Sequence, residues 1–318
     1  MSSINNERRN EIMQGVYRFA TLLAVVLVVL GIHWFVTRPH IRGGDGGPLQ
    51  TSCRKTPAFA TKVGVTQPVF DTSQKGVTGL TVYDSQHPDK VFQPPSWKIG
   101  GNLGPLAIDD AGNTYAAPVP NINTLDNPPA KQNTIYFVDT ATAVMTEYYS
   151  LKDVAIPNQT NPYGLLSLAF DCETKVLYAS TISGSTPTKT NGSIVAIDTA
   201  NKREISRVTG VDALSVGLFR DSKGAQLYYG LAGRSEVWRV GLAGNGTFVG
   251  QSAFSFSYDP YNELKPRKLD FNGGKSLQVH TTEFRYNLIA STEFRQENIN
   301  YTYDAASDHW NRVPTPAL

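Results

Sequence analysis

The sequence predicts an all-β domain built from a repeated unit and carried behind one transmembrane helix. Three observations predict it. The first is a recurring phrase of apolar residues, an Asp and a turn: Leu80-Thr-Val-Tyr-Asp84, Ile135-Tyr-Phe-Val-Asp139, Ile194-Val-Ala-Ile-Asp198 and Ile299-Asn-Tyr-Thr-Tyr-Asp304, with a degenerate copy at Val237-Trp-Arg-Val-Gly241. The second is an inner hairpin about 20 to 35 residues upstream of each phrase. The third is the uncharged run Phe19 to Val36. Units spaced at roughly 40 to 60 residues are the mark of propeller blades. The expected fold is therefore a β-propeller of five blades, with six as the alternative if one blade is too degenerate to see.

Taken in order, residues 1–18 form a polar tail and 19–37 the expected transmembrane helix. Eighteen uncharged residues at ~1.5 Å per residue cover most of a ~30 Å hydrocarbon core. Tyr17 and Trp34 stand near its ends, where amphipathic rings favour the headgroup region. Thr37-Arg-Pro-His-Ile-Arg42 follows instead of a small-x-small cleavage site, so an uncleaved anchor is expected rather than a signal peptide. Arg8, Arg9 and Arg18 precede the run, and Arg38, Arg42, Arg54 and Lys55 follow it, nearly balancing the positive-inside count. With a short N-terminal tail before one span, the expected topology is a cytoplasmic tail and a single-pass protein. Its C-terminal domain then lies outside the cytoplasm, periplasmic or extracellular.

A tether at 38–57, with Gly43-Gly-Asp-Gly-Gly-Pro48 as its flexible part, leads to a propeller ectodomain at 58–318. The inner hairpins read Pro105 to Ala117, Leu168 to Ser180, Val216 to Gly230 and Lys268 to His280, each with Gly, Asn or Asp at its centre. Paired with the Asp phrases they give blades at about 104–149, 164–208, 213–256 and 266–313. The leftover outer hairpin, Gly79 to Trp97, needs an inner partner near Ala58 to Asp71. Ala60 to Val65 and Pro68 to Asp71 are the strand-like candidates.

The composition narrows the function classes. Apolar residues make up 40% and charged residues 18%, which fits a turn-rich β protein outside the cytosol. A net charge of +2 and no basic stripe interleaved with aromatics argue against nucleic acid as a partner. Cys53 and Cys172 are the two cysteines. Either they bridge, tying the start of the domain to a blade, or they are separate thiols; spacing leaves both open. Sequons at Asn158, Asn191, Asn245 and Asn300 matter only where the source glycosylates.

The recurring Asp84, Asp139, Asp198 and Asp304 occupy one position of the repeat. Their expected role is to accept backbone N–H groups in a turn. No Gly-x-Ser-x-Gly, His-Glu-x-x-His or phosphate-cradling loop occurs. Of the five histidines only His280 falls on an inner strand, too few for the clusters zinc requires. Any site is expected where loops enter the inner strands, placing Asn102, Asn161, Tyr163, Asp212 and Arg267 as candidate ligand-binding residues. The crossing loops at 118–132 and 181–192 exceed hairpin length, as functional loops do.

The phrases Leu106-Ala-Ile-Asp-Asp-Ala-Gly-Asn-Thr-Tyr-Ala-Ala117 and Pro162-Tyr-Gly-Leu-Leu-Ser-Leu-Ala-Phe-Asp171 resemble those of gluconolactonase-like and NHL-like propellers. The likeness covers roughly residues 100 to 310. Lactonases of that superfamily hold a divalent cation in the channel through a Glu, an Asn and an Asp. The resemblance implies such a cation, calcium for example, with Asn161 and Asp212 as ligands. No Glu stands in the first blade, whose acids are Asp71, Asp84 and Asp89. Two functions are thus expected in order: a membrane-anchored binding or scaffold module for a protein or glycan, and a metal-dependent lactonase-type hydrolase.

Overall fold

A computed structural model of the chain describes residues 47–49, 51–53, 55–72, 78–120, 127–272, 274–288 and 294–314. The tail and the expected span at 19–37 lie outside the described residues. Among those described, no helix is long and apolar enough to cross a membrane.

A short strand β1 (Gly47–Pro48) and a one-turn helix α1 (Ala58–Lys62) precede five antiparallel sheets. The first holds β2 (Pro68–Asp71), β3 (Thr81–Asp84) and β4 (His87–Phe92). The second holds β5 (Leu103–Ile108), β6 (Thr114–Pro118), β7 (Thr134–Val138) and β8 (Met145–Ser150). The third holds β9 (Leu165–Asp171), β10 (Val176–Thr181), β11 (Ser193–Asp198) and β12 (Arg203–Thr209). The fourth holds β13 (Ala213–Asp221), β14 (Gly224–Leu231), β15 (Glu236–Leu242) and β16 (Phe248–Ser257). The fifth holds β17 (Leu264–Asn272), β18 (Ser276–Glu283), β19 (Gln296–Asp304) and β20 (His309–Arg312). The chain is a five-bladed β-propeller, and its blades fall where the repeat placed them.

Successive blades pack face to face, and each of the four consecutive pairs shares one apolar layer. Blades one and two join through Leu80, Val82, Trp97, Tyr136 and Val138. Blades two and three join through Ile135, Leu165, Phe170 and Leu177. Tyr178, Ile194, Leu218 and Leu227 fill the next layer, and Phe219, Tyr228, Leu277 and Tyr303 the last. The alternation that builds the strands also builds these layers, because every second side chain faces a neighbouring blade.

The recurring Asp residues serve turns. Asp84 accepts from the N–H groups of Thr66, Gln67 and Gln86, and Asp139 from Ala141 and Thr142. Asp198 accepts from Ala200 and Asn201, and Asp304 from Ala306 and the Ser307 hydroxyl. These donors hold all four carboxyls below the ordinary carboxylate range. The Gln86 N–H is foremost at Asp84, the Thr142 hydroxyl at Asp139, the Asn201 amide at Asp198 and the Ser307 hydroxyl at Asp304. A depressed carboxyl stabilises the fold above its unfolded pKa of about 3.9, and that share is lost as pH falls through the lower folded value. Stability to urea is therefore expected to drop below about pH 4, and an Asp84→Asn variant to show a shallower drop. An identical acid profile in the variant would refute the turn's part in it.

Two expectations need correction. Ala60 to Val65 is not a strand: Pro57 precedes α1, and the chain turns at Val63 and Gly64. The helix wins because it drops Phe59 among Phe70, Phe92 and Trp97, with the Trp97 ring centroid 5.4 Å away. Tertiary packing overrides the local strand pattern. Blade one is consequently three-stranded, and β3 and β4 correspond to the two outer strands of the other blades.

The end of the expected tether is also part of the domain. Gly47 and Pro48 pair with Arg220 and Phe219 on the inner edge of β13. The Thr51 carbonyl accepts the Phe170 N–H of β9 at 2.7 Å, and the Cys53 N–H donates to Ile108 of β5 at 2.8 Å. This strap, described at 47–49 and 51–53, meets the carboxyl ends of three inner strands. Cys53 and Cys172 form a disulfide that fastens it to the β9–β10 turn, with Cα atoms 5.7 Å apart.

Candidate functional site

Inner strands β5, β9, β13 and β17 pack side by side, in that order, along a central channel. Antiparallel alternation puts the loops that enter these strands, and those that cross between second and third strands, at one end. The strap lies at the other. Between them is a cavity of about 1040 Å³, with Thr51 and Ser52 of the strap in its lining. It is a cup walled by the inner strands.

The five sequence candidates divide into two groups. Asn102 and Arg267 line the cup. Asn102 is held by Asn127, whose Oδ1 accepts the Asn102 N–H at 2.9 Å and whose Nδ2 donates back to the Asn102 carbonyl. Arg267 is exposed on β17.

Asn161, Tyr163 and Asp212 meet instead in a buried belt that joins the rims of three blades. Asn161 Nδ2 donates to the carbonyls of Ile182 and Ser185 at 2.8 and 2.9 Å, and its Oδ1 accepts from the Tyr163 N–H. Ser185 Oγ donates to Asp212 Oδ1 at 2.5 Å, as does the Gly192 N–H at 2.9 Å. Tyr286 donates its hydroxyl to Asp212 Oδ2 at 2.7 Å. The Tyr163 ring lies 5.3 Å from that of Phe284. Thus the crossing loop of blade five reaches over to the entries of blades three and four. Burial pushes the phenols of Tyr163 and Tyr286 up, and proximity to Asp212 adds to the rise at Tyr286.

The belt depends on close backbone approach. A Cβ on Gly192 would sit 2.5 Å from Asp212 Oδ1 and 2.6 Å from the Thr181 carbonyl, and one on Gly164 only 2.1 Å from the Gln132 carbonyl. Glycine at these two positions lets neighbouring rims touch.

The belt's chemistry bears on the implied cation. Asn161 and Asp212 are 2% and 4% exposed, and their side-chain oxygens already accept protein donors. A cation between them would have to displace the Tyr163, Ser185 and Tyr286 donors, so as placed this pair does not fit a divalent ion. Among the described residues no three His, Cys, Asp or Glu side chains gather closely enough to hold a metal.

Sequence reasoning missed Ser185, Asn127, Tyr286 and Asp270. The first three are ordinary loop residues until the fold brings them to their partners across 25 to 74 positions of chain. Asp270 lines the cup and accepts from His280 Nε2 at 2.8 Å and Lys268 Nζ at 2.9 Å. Its i, i+2 spacing from Lys268 on an inner strand was the signal that was there to read.

No protein-family model and no curated protein matches the sequence. Solved structures do. A calcium-binding regucalcin from Agrobacterium tumefaciens is 13% identical with a TM-score of 0.44, the match covering 87% of this chain and 80% of that one. The exo-β-1,3-galactanase of Phanerochaete chrysosporium is 11% identical with a TM-score of 0.42, covering 66% and 48%. The extracellular domain of a putative hybrid two-component system from B. thetaiotaomicron is 12% identical with a TM-score of 0.42, covering 78% and 28%. Likenesses this distant carry no argument about activity, and the five-bladed architecture rests on the strand pairing described above.

Proposed function

We propose that this protein is an extracytoplasmic recognition propeller, anchored through the apolar run at 19–37, that holds a protein partner on its loop face. The observation that carries the reading is the distribution of exposed large apolar side chains. Tyr261, 83% exposed, and Ile156, 69% exposed, stand on loops entering blades five and three. Ile99 precedes blade two, and Leu288 and Phe294 stand on the crossing loop of blade five, all exposed. These are five of the ten exposed large apolar side chains among the described residues; the others, Val63, Val91, Val144, Phe254 and Val313, stand past α1, on β4, in the β7–β8 turn, on β16 and past β20. Single exposed apolar residues are ordinary, and it is the grouping of five on entering and crossing loops that suits a protein-docking face.

A photo-crosslinking residue at position 261 or 156 in the full chain is expected to capture a partner in membranes, whereas one at Val91, on the outer strand β4, captures none. Equal capture at all three sites, or none at 261 and 156, overturns the reading. Selective binding on a glycan array, in place of capture, would assign the face to a glycan. Digestion of the propeller by protease added from the cytoplasmic side of sealed vesicles would overturn the topology.

The alternative is a lactonase-type hydrolase. What favours it is the Asp270–His280 pair at the cup, an imidazole and a carboxylate within hydrogen-bond reach. Lactone hydrolysis that is lost in His280→Gln would establish it. Absence of turnover with and without calcium leaves the recognition reading in place.

A further inference from the structure

The inner strands share an irregularity that turns the cup into a differentiated site. Each of β5, β9, β13 and β17 carries a β-bulge close to its entry. The register shifts between Leu103 and Leu106, between Leu165 and Ser167, between Ala213 and Ser215, and between Pro266 and Lys268. A bulge leaves an extra residue out of the ladder and re-aims its side chain, which is why bulges recur beside binding sites. The extra residues here are Gly104-Pro105, Leu166, Leu214 and Arg267. Gly104-Pro105 and Leu166 bring uncharged residues to the lining, whereas Leu214 is buried outside it. Arg267 brings a guanidinium.

The charge balance at the cup sharpens the contrast. Asp270 is the carboxylate in its lining, and it is occupied by Lys268 and His280. Arg267 pairs with no carboxylate among the described residues. The lining is rich in leucine, with Leu103, Leu106, Leu166 and Leu168 from blades two and three. A volume of about 1040 Å³ is at the upper end of small-molecule sites.

We infer that the cup binds an amphipathic monoanion, an acyl or similarly apolar body carrying one carboxylate, with the acid on Arg267 and the body against the leucines. A guanidinium presents two parallel N–H donors that match a carboxylate. The apolar walls account for the body, since burying a chain there recovers the transfer free energy of each methylene. The residues that line the cup are not those offered for docking. Failure of crosslinking at Tyr261 would leave this site standing, and its own failure would leave the docking face untouched.

The test uses decanoate, decanamide and acetate, measured by isothermal titration against the full chain and against Arg267→Gln. Decanoate is expected to bind. Acetate, without the body, and decanamide, without the charge, are expected to bind at least tenfold more weakly. Arg267→Gln is expected to weaken decanoate about tenfold or more while leaving decanamide unchanged, because a charge-assisted hydrogen bond is lost and nothing else. Arg267 is exposed and outside the blade cores, so the variant's melting temperature should match the parent's and a folding defect would be seen directly. Equal binding of decanoate and decanamide, undiminished decanoate binding in Arg267→Gln, or no decanoate binding at all overturns the inference.

Discussion

Replacing Arg239 with methionine is expected to lower the unfolding free energy by about 3–5 kcal/mol, the scale for removing one partner of a buried ion pair. Arg239 sits on β15 with its side chain 8% exposed. It donates to Asp221 Oδ2 at 2.6 Å within blade four and to both oxygens of Asp308, at 2.7 and 2.5 Å, in blade five. Tyr228 donates to Asp221 and Tyr303 to Asp308, closing the network. Burial pushes the Asp221 carboxyl up, whereas the Arg239 guanidinium holds Asp308 well below the usual range. Without Arg239, Asp221 is a fully buried carboxylate with no countercharge, and blades four and five lose their polar clasp. Urea denaturation monitored by tryptophan emission reads the effect, since Trp310 packs in the same layer. A change below about 1 kcal/mol would show that water reaches the network and that the pair acts as a surface bridge.

The second large effect is expected from the disulfide. Changing both Cys53 and Cys172 to serine should cost about 2–5 kcal/mol, the usual loss for a native bridge. The bridged residues lie 119 positions apart, so the bond closes a long loop in the unfolded chain. It also holds the strap on the channel. Amide exchange at Phe170 and Ile108, which bond Thr51 and Ser52, should quicken in the variant beyond what the global loss of stability explains. Exchange at these amides that tracks the rest of β5 and β9 would mean the strap needs no bridge to stay in place.

Both effects arise from contacts remote in sequence, which is where legibility ended. The blade spans were readable because each hairpin carries its own instruction: an apolar strand, an Asp or Gly turn, and a second strand. The expected third blade at 164–208 lies over strands at Leu165–Asp171 through Arg203–Thr209 for that reason. Asp139 and Asp198 were readable as turn-formers because their partners lie two or three residues on. Gly43 to Pro48 misled. Its composition is that of a linker, yet Gly47 and Pro48 are held by main-chain pairing to β13, which composition does not encode. Arg267 was found as a loop-entry residue, but nothing local marks it as a bulge. That depends on its register against Thr281 and His280.

The sequence by itself determined the architecture: an all-β repeat, its blade boundaries, and the turn role of its carboxylates. Local turn chemistry and alternation of side chains suffice for that. The tertiary structure alone decided the missing inner strand of blade one and the pairing of the cysteines. It alone made Asn161 and Asp212 rim-binding residues and set Arg267 in a cup lined with leucine. Each of these rests on groups brought within hydrogen-bond or packing distance by the packing of blade on blade. Their free energy comes from partners that no stretch of chain contains by itself.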